Sequence, residues 1–324
     1  MKIIQVGAGG FGESWLEIVM RAPEWEVAGV VDIDQNVLKK VKEKWNFSDE
    51  KLFTSLDECL KKVKADALLN VTPPEFHKEI TVKAIKSGLH VLVEKPMADT
   101  LKNAEEMVEV AEKYRKKLMV SQNYRYRKGA RSLRKFIEEG LLGNLSYCNL
   151  NFQKGPKFKG FRIKMEYPLL IDMSIHHFDL LRYILGKEPV SVYAESFNPC
   201  WSWFSGDACL NIIFEFQDNI RVNYSGSWVS KGKETPWDGE WEIYGENGTV
   251  IWNEKIKFIS EGKEEEMEMI NMEREERDYS LLEFYKSIKE DREPETSGRD
   301  NIKSLKMVFN SLNSIKRGRR VSFI

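Results

Sequence analysis

The chain has 324 residues, 42% of them apolar and 31% charged, with a formal net charge of −1. That length predicts two domains with real cores, and the near-neutral balance excludes an electrostatic footprint for nucleic acid or an acidic membrane surface. No apolar run approaches the ~20 residues that span a bilayer, and the basic KRGRR at 316–320 is too short to alter the balance. From residue 1 to about 121, the apolar runs IIQV, EVAGVVD, ADALLNVT, HVLVE and KLMVSQ predict strands. The amphipathic stretches GESWLEIVM, NVLKKVKEKW, LDECLKKV, FHKEITVKAIKSG and NAEEMVEVAEKYRKK between them predict helices. This alternation implies βαβ units and a parallel sheet covered on both faces.

After about residue 150 the rhythm changes. One apolar helix over 169–185 precedes the β-rich runs SVYAESF, ACLNIIFEF, IRVNYSGSW, GEWEIYGENGTVIW and KIKFISEG, with QDN and ENG as turn signals. They predict a mostly antiparallel sheet. EGKEEEMEMINMEREER reads as a solvated stretch leading into a helix over about 274–290, and a last helix follows over 299–316. The expected fold is α/β: a Rossmann doubly wound parallel sheet over 1–122, then an α/β domain with a mostly antiparallel open sheet over 123–324, its last helix free to pack back on the first domain. Cys59, Cys148, Cys200 and Cys209 show neither CxxC nor zinc-type spacing, so reduced thiols and no metal are expected. The sequence runs straight into KIIQVGAGG, without the regions of a signal peptide, which points to the cytoplasm.

Three motifs carry chemistry. In IIQVGAGGFGESW, Gly7, Gly9 and Gly12 have GxGxxG spacing, after a strand and at the opening of a helix. The glycines allow a tight turn, close approach of a pyrophosphate and close helix packing, and the helix N-terminus offers free N–H groups to phosphate. Asp32 follows Gly12 by twenty residues at the end of the second strand, where a carboxylate binds a ribose 2′-hydroxyl and repels a 2′-phosphate. With Ile33 and Asp34 after it offering no cation, NAD is expected over NADP. The second motif is Glu94-Lys95-Pro96 after an apolar strand, at the end where ligands bind in open α/β sheets. NVTPPEFH at 70–77 ends the preceding strand in the same way, and its His77 either faces the crevice or sits on the surface.

The third motif is LLIDMSIHHFDLLRYILG, 169–186. On an α-helix Asp172, His176 and Asp179 fall at i, i+4 and i+7 and form one polar stripe, with the imidazole between two carboxylates. His177 is turned away by about 100° and is expected to be structural. An intrahelical ion pair is the plainer alternative for the stripe, and Asp172 with His176 lacks a third strong ligand for a metal.

In this order, GAGGFG, TPPEFH, EKP, QNYRYR, DMSIHHFD, YGENGTV and SGRDNIKSLKMV resemble the glucose–fructose oxidoreductase / inositol dehydrogenase / MocA (Gfo/Idh/MocA) family over essentially the whole chain. The resemblance implies an NAD-dependent oxidoreductase transferring a hydride to or from a secondary alcohol of a sugar, cyclitol or derivative, and a homo-oligomer, dimer or tetramer, built through the C-terminal sheet. It assigns catalysis to Lys95, Asp172 and His176. It places cofactor contacts at Gly7, Gly9, Gly10, Phe11, Gly12, Asp32, Ile33, Thr72, Pro73, His77, Glu94 and Lys95. Polyol contacts fall on Tyr124, Arg125 and Asp179, and Arg162 in the loop before the site helix is a further candidate. The implied roles are His176 as general base, Asp172 orienting its ring and Lys95 stabilising alkoxide-like charge. Three readings compete: an NAD-dependent glycosidase that oxidises its substrate transiently, a non-catalytic NAD or sugar sensor, and the same site run as a ketosugar reductase.

Overall fold

The computed structural model describes residues 1–323. It divides into two compact units, Met1–Asn123 with Arg274–Lys303, and Tyr124–Glu273 with the chain from Ser304 on.

The first unit begins β1 (Lys2–Val6), α1 (Phe11–Arg21), β2 (Glu26–Val31), α2 (Gln35–Trp45), β3 (Leu52–Phe53), α3 (Leu56–Lys62), β4 (Ala67–Asn70), α4 (Pro74–Lys86), β5 (His90–Val93), α5 (Leu101–Lys113) and β6 (Leu118–Val120). Its six strands are all parallel in the order β3-β2-β1-β4-β5-β6, the doubly wound arrangement expected from the βα rhythm. β4 is buried along its whole length, and β1 and β2 everywhere but their first residue, which explains why they read as unbroken apolar runs.

The second unit opens with a 3₁₀ turn at Asn123–Tyr126, α6 (Lys128–Glu138) and β7 (Leu145–Gln153). After a short 3₁₀ segment at Gly160–Lys164 and a π-helical turn at Leu169–Met173 comes α7 (Ser174–Leu185). Then follow β8 (Pro189–Phe197), β9 (Cys209–Phe216), β10 (Arg221–Ser227), β11 (Glu240–Gly245), β12 (Gly248–Asn253), β13 (Lys255–Ser260) and β14 (Lys263–Met267). Later in the chain come α8 (Glu276–Lys289), α9 (Gly298–Arg317) and β15 (Val321–Ser322). The nine-stranded sheet runs β14-β13-β12-β11-β7-β10-β9-β8-β15, with β7 and β10 parallel and the other pairs antiparallel. Alternation sorts its two faces. Leu150, Phe152, Val222, Tyr224, Ile212 and Phe214 are buried, and α7 meets them, with Phe178 edge-on to Phe214 at 5.0 Å and to Tyr224 at 5.5 Å. Asn149, Asn151, Asn211 and Asn223 alternate with those buried residues and point to the opposite face.

Four expectations need correction. α8 belongs to the first unit: Trp25 stacks on Phe284 (5.7 Å), its indole N–H donates to the Leu281 carbonyl, and Arg21 forks onto Asp278. The long segment 123–324 is therefore interrupted, and α9 is shared, with residues through Lys303 counted in the first unit. Second, α6 and the central strand β7 were not anticipated. Third, the single helix over 169–185 is a π turn followed by an α-helix. Fourth, the acidic stretch contains an edge strand, β14, whose exposed Glu264, Glu265 and Glu266 discourage further strand pairing. No helix among the described residues is long and apolar enough to cross a membrane.

Candidate functional site

In the first unit the glycine-rich loop is held from three sides. Gly7 has φ 87°, and a Cβ on it would lie 2.7 Å from the Val71 carbonyl oxygen. A Cβ on Gly12 would come within 2.3 Å of the Gly7 oxygen, so only glycine lets α1 start this close to the loop. Gly9 and Gly10 leave room above the turn: a Cβ at Gly10 would meet nothing within 4 Å. Phe11, the first residue of α1, is exposed. The loop is also tied by a residue not foreseen as part of the site. Gln5, polar in an otherwise apolar strand, donates through Nε2 to the carbonyls of Gly7 (2.9 Å) and Gly12 (2.7 Å). Asp32 accepts from the Ala8 N–H at 2.8 Å through one oxygen and from the Asp34 N–H at 3.0 Å through the other, and Ile33 beside it is 90% exposed. A glycine turn opening a helix, open space over Gly10 and a half-exposed carboxylate at the end of β2 fit a dinucleotide.

The turns after β4 and β5 are fastened to each other. His77 is buried, with Nδ1 3.0 Å from the Pro96 carbonyl and Nε2 2.7 Å from the Thr72 carbonyl. Burial lowers its pKa while the two backbone carbonyls act the other way. Of the two alternatives for His77, burial overturns the surface one. Thr72 is set by its hydroxyl on Asn70 (2.7 Å), and Pro73 caps α4. Glu94 is buried, and desolvation raises its pKa. Its carboxyl accepts from the Trp15 indole (2.7 Å) and from the Lys95 N–H (3.0 Å), which anchors the turn that carries Lys95. Trp15 had not been singled out in the sequence.

In the second unit the site helix is rebuilt by the π turn. Asp172 lies on it and accepts from Arg162 Nε at 2.6 Å. His176, 5% exposed, lies on the first turn of α7 and stacks on Tyr124 with ring centres 4.3 Å apart and planes 13° from parallel. The Arg127 guanidinium sits 3.6 Å from the Tyr124 ring centre and donates to Asp238 at 2.6 Å. Neither Arg127 nor Asp238 was a sequence candidate: nothing marks a pair separated by 111 residues.

The single stripe with His176 between two carboxylates fails at Asp179. That carboxylate is buried and engaged by Arg125 through Nε (2.5 Å) and Nη2 (2.7 Å), with the Ser304 hydroxyl adding 2.6 Å. Arg182 reaches the same serine (2.8 Å) and pairs with Glu188. Arg125 and Asp179, expected to touch a polyol, thus form a buried charge network beneath the helix. His177 is fully buried: Nε2 lies 2.9 Å from the Trp237 carbonyl and Nδ1 3.1 Å from the Tyr224 hydroxyl. These partners fix a neutral ring that donates from Nε2, and burial depresses its pKa to about 4.

Comparison with known proteins now bears on these two half-sites. Residues 1–122 match the family model described as "Oxidoreductase family, NAD-binding Rossmann fold", and residues 130–251 match "GFO/IDH/MocA C-terminal domain". The chain belongs to the GFO/IDH/MocA family. It is an NAD-binding oxidoreductase by that membership, as the motifs had implied. A relative in Sinorhizobium fredii, "Uncharacterized protein y4oX", is 27% identical over 99% of this chain and 95% of its own length. The myo-inositol 2-dehydrogenase of Thermotoga maritima is 26% identical over 60% of this chain and 58% of its own. For the 1,5-anhydro-D-fructose reductase of Ensifer adhaerens the figures are 28%, 62% and 61%. The chain thus spans about three fifths of these two relatives that are named for an activity. Among solved structures, an oxidoreductase from Agrobacterium radiobacter in complex with NAD+, L-tartaric acid and magnesium superposes with TM-score 0.90 at 20% identity, covering 99% of this chain and 98% of that one. The aldose–aldose oxidoreductase of Caulobacter crescentus with glycerol gives 0.87 at 21%, covering 100% and 99%. These structural likenesses establish the fold.

Proposed function

We propose that this chain transfers a hydride between NAD and a secondary alcohol of a sugar, cyclitol or sugar derivative. The observation that carries the reading is the seating of His176: a nearly buried imidazole held flat on Tyr124, one turn beyond Asp172. A fixed imidazole is the side chain best suited to take a hydroxyl proton near neutral pH. When bound, NAD supplies the hydride acceptor at its nicotinamide ring. Asp172 orients the base and binds a neighbouring hydroxyl, exchanging its hydrogen bond to Arg162 for one to substrate. Lys95 donates to the reacting oxygen and stabilises charge developing there. Tyr124 and Arg162 contact the substrate, whereas Arg125 and Asp179 frame the helix that carries the base. The dinucleotide lies on Gly7, Gly9, Gly10, Phe11 and Gly12, with Thr72, Pro73, His77, Glu94 and Lys95 forming the adjoining turns. Asp32 takes the ribose, which favours NAD over NADP.

The names of the relatives support the substrate class: an inositol dehydrogenase, an anhydrofructose reductase and a D-glucoside 3-dehydrogenase all act on polyols or sugars. We also propose a homo-oligomer formed through the open face of the nine-stranded sheet, where Ile213 (44% exposed) and Phe197 (47%), with Trp201 (54%) just beyond, stand among asparagines, and a cytoplasmic setting. The test is a screen for NAD reduction across cyclitols, aldoses, ketoses and sugar acids, with Lys95→Ala and His176→Ala as controls. One polyol class that reduces NAD, with both variants inactive, is the expected result. Tight NADH binding with no reaction on any polyol would overturn the dehydrogenase and leave a sensor.

A further inference from the structure

The phosphate loop and the helix it opens supply no cation of their own: residues 7–20, GAGGFGESWLEIVM, contain neither Lys nor Arg. They carry acids instead, Glu13 in the first turn of α1, paired with Lys44, and Asp32 sits against the Ala8 N–H. A dinucleotide pyrophosphate bears two negative charges, so N–H groups and a helix dipole alone leave much of that charge uncompensated.

Lys44 reaches the same helix but is taken up by Glu13 and Glu17; a second cation comes from a helix more than 250 residues away. Arg277, on the first turn of α8, lies over the Phe11 ring at 4.7 Å and the Trp15 ring at 5.4 Å, and its Nη1 donates to the Ser14 hydroxyl at 2.8 Å. Phe11, Ser14 and Trp15 are at i, i+3 and i+4, one face of the first turns of α1. The Ser14 hydroxyl in turn donates to the Phe11 carbonyl, so the arginine is locked to the helix start by three contacts. Among the described residues no carboxylate is ion-paired with Arg277 and Ser14 is its only hydrogen-bond partner. A guanidinium so restrained, with most of its five donors uncommitted, is suited to pair with phosphate oxygens. It is also close enough to Glu94 to act on it through charge.

We propose that Arg277 is a cofactor-binding residue that neutralises the pyrophosphate of the bound dinucleotide, so that α8 completes the nucleotide site. This rests on the dinucleotide reading of the glycine loop and not on the identity of the substrate. It also accounts for the clamping of α8 to the first unit by Arg21 and Trp25, with Arg274, just ahead of the helix, paired to Glu24.

The experiment is equilibrium titration of NADH, followed by its fluorescence, with the wild-type chain, Arg277→Met and Arg277→Lys, each at low and high salt. Adenosine, which lacks phosphate, serves as competitor. Arg277→Met is expected to raise the Kd about tenfold or more, to flatten its salt dependence, and to leave adenosine competition unchanged. Arg277→Lys keeps the charge and is expected to fall between the two. An NADH Kd for Arg277→Met within about twofold of wild type, with the same salt slope, overturns the assignment while the cofactor reading stands. Equal loss of NADH and adenosine binding also overturns it, because it marks a damaged fold. A wild-type chain that binds neither NADH nor NADPH overturns the dinucleotide reading itself.

Discussion

His176 and Tyr124 lie face to face, 4.3 Å between ring centres, with the Arg127 guanidinium 3.6 Å from the same tyrosine ring. The stack fixes the imidazole by its flat surface. Tyr124→Phe keeps the ring and is expected to lower kcat by no more than about twofold if the hydroxyl plays no part. Tyr124→Leu removes the stacking surface, and a loss of up to about tenfold in kcat is expected with KM for NAD unchanged. Steady-state kinetics with both substrates varied checks this.

Acid inactivation provides a second test of His176. If His176 is the base of the proposed reaction, oxidation requires its imidazole free of the proton, and the rate of hydride transfer is expected to decline on the acid side of the profile. His176→Asn is expected to lose most of the rate and to flatten that limb. An unchanged acid limb in the residual activity of the variant would assign it to another group.

The Arg125–Asp179 pair is buried in the second unit, and breaking it on one side is expected to be costly. Asp179→Ala strands a buried guanidinium and is expected to cost about 3–5 kcal/mol, read as a large fall in the thermal midpoint of that unit. Replacing both residues with apolar ones removes the stranded charge, and the double variant is expected to regain most of the loss. Differential scanning calorimetry separates the two units if they melt apart.

His177 makes folding sensitive to acid. Its pKa is about 4 when folded and about 6.5 when unfolded. The unfolded chain therefore takes up a proton first as pH falls below about 6.5. Stability from this group is fully present above that value and is lost progressively down to about pH 4, amounting to roughly 3 kcal/mol. His177→Gln is expected to lower stability at neutral pH and to flatten this part of the stability–pH curve, measured by urea unfolding.

Asp32 holds the loop through the Ala8 N–H, and in the proposed function it also takes the ribose. Asp32→Ala is expected to reduce kcat/KM for NAD at least about tenfold and to raise the NADP-to-NAD ratio, because the carboxylate that repels a 2′-phosphate is gone. Residues 33–36 offer no cation, so the variant should not come to prefer NADP.

Much of the first unit was legible because its strands are buried on both faces and its glycine loop has steric requirements that a sequence displays directly. The second unit was harder. β7 reads LSYCNLNFQ, and its asparagines disguise a central strand whose buried side is only Cys148, Leu150 and Phe152. α6 is so basic that its apolar face is short, with Ala130 and Leu133 at its heart. Helical spacing placed Asp172 and Asp179 on one stripe with His176, but a π turn changes the count before Met173, and a distant arginine claims Asp179. The apolar positions of α8 announced a helix without saying which unit it would join. Trp15 and Arg127 were invisible as site residues because their roles depend on partners far apart in the chain, whereas Gln5, whose partners Gly7 and Gly12 are close by, was hidden as a single polar residue inside an apolar strand.

The return of α8 to the first unit has a bearing on how the protein is made. A ribosome delivers β1 to β6 early, yet Trp25 waits for Phe284, and Arg21 for Asp278, until some 250 further residues have emerged. All of the nine-stranded sheet except β15 is synthesised in that interval. The nucleotide-binding unit is thus begun first and finished late, after most of its neighbour has had time to fold. Translation that stops before α8 leaves a nascent chain with an exposed Trp25 surface, a ready target for chaperones and proteases.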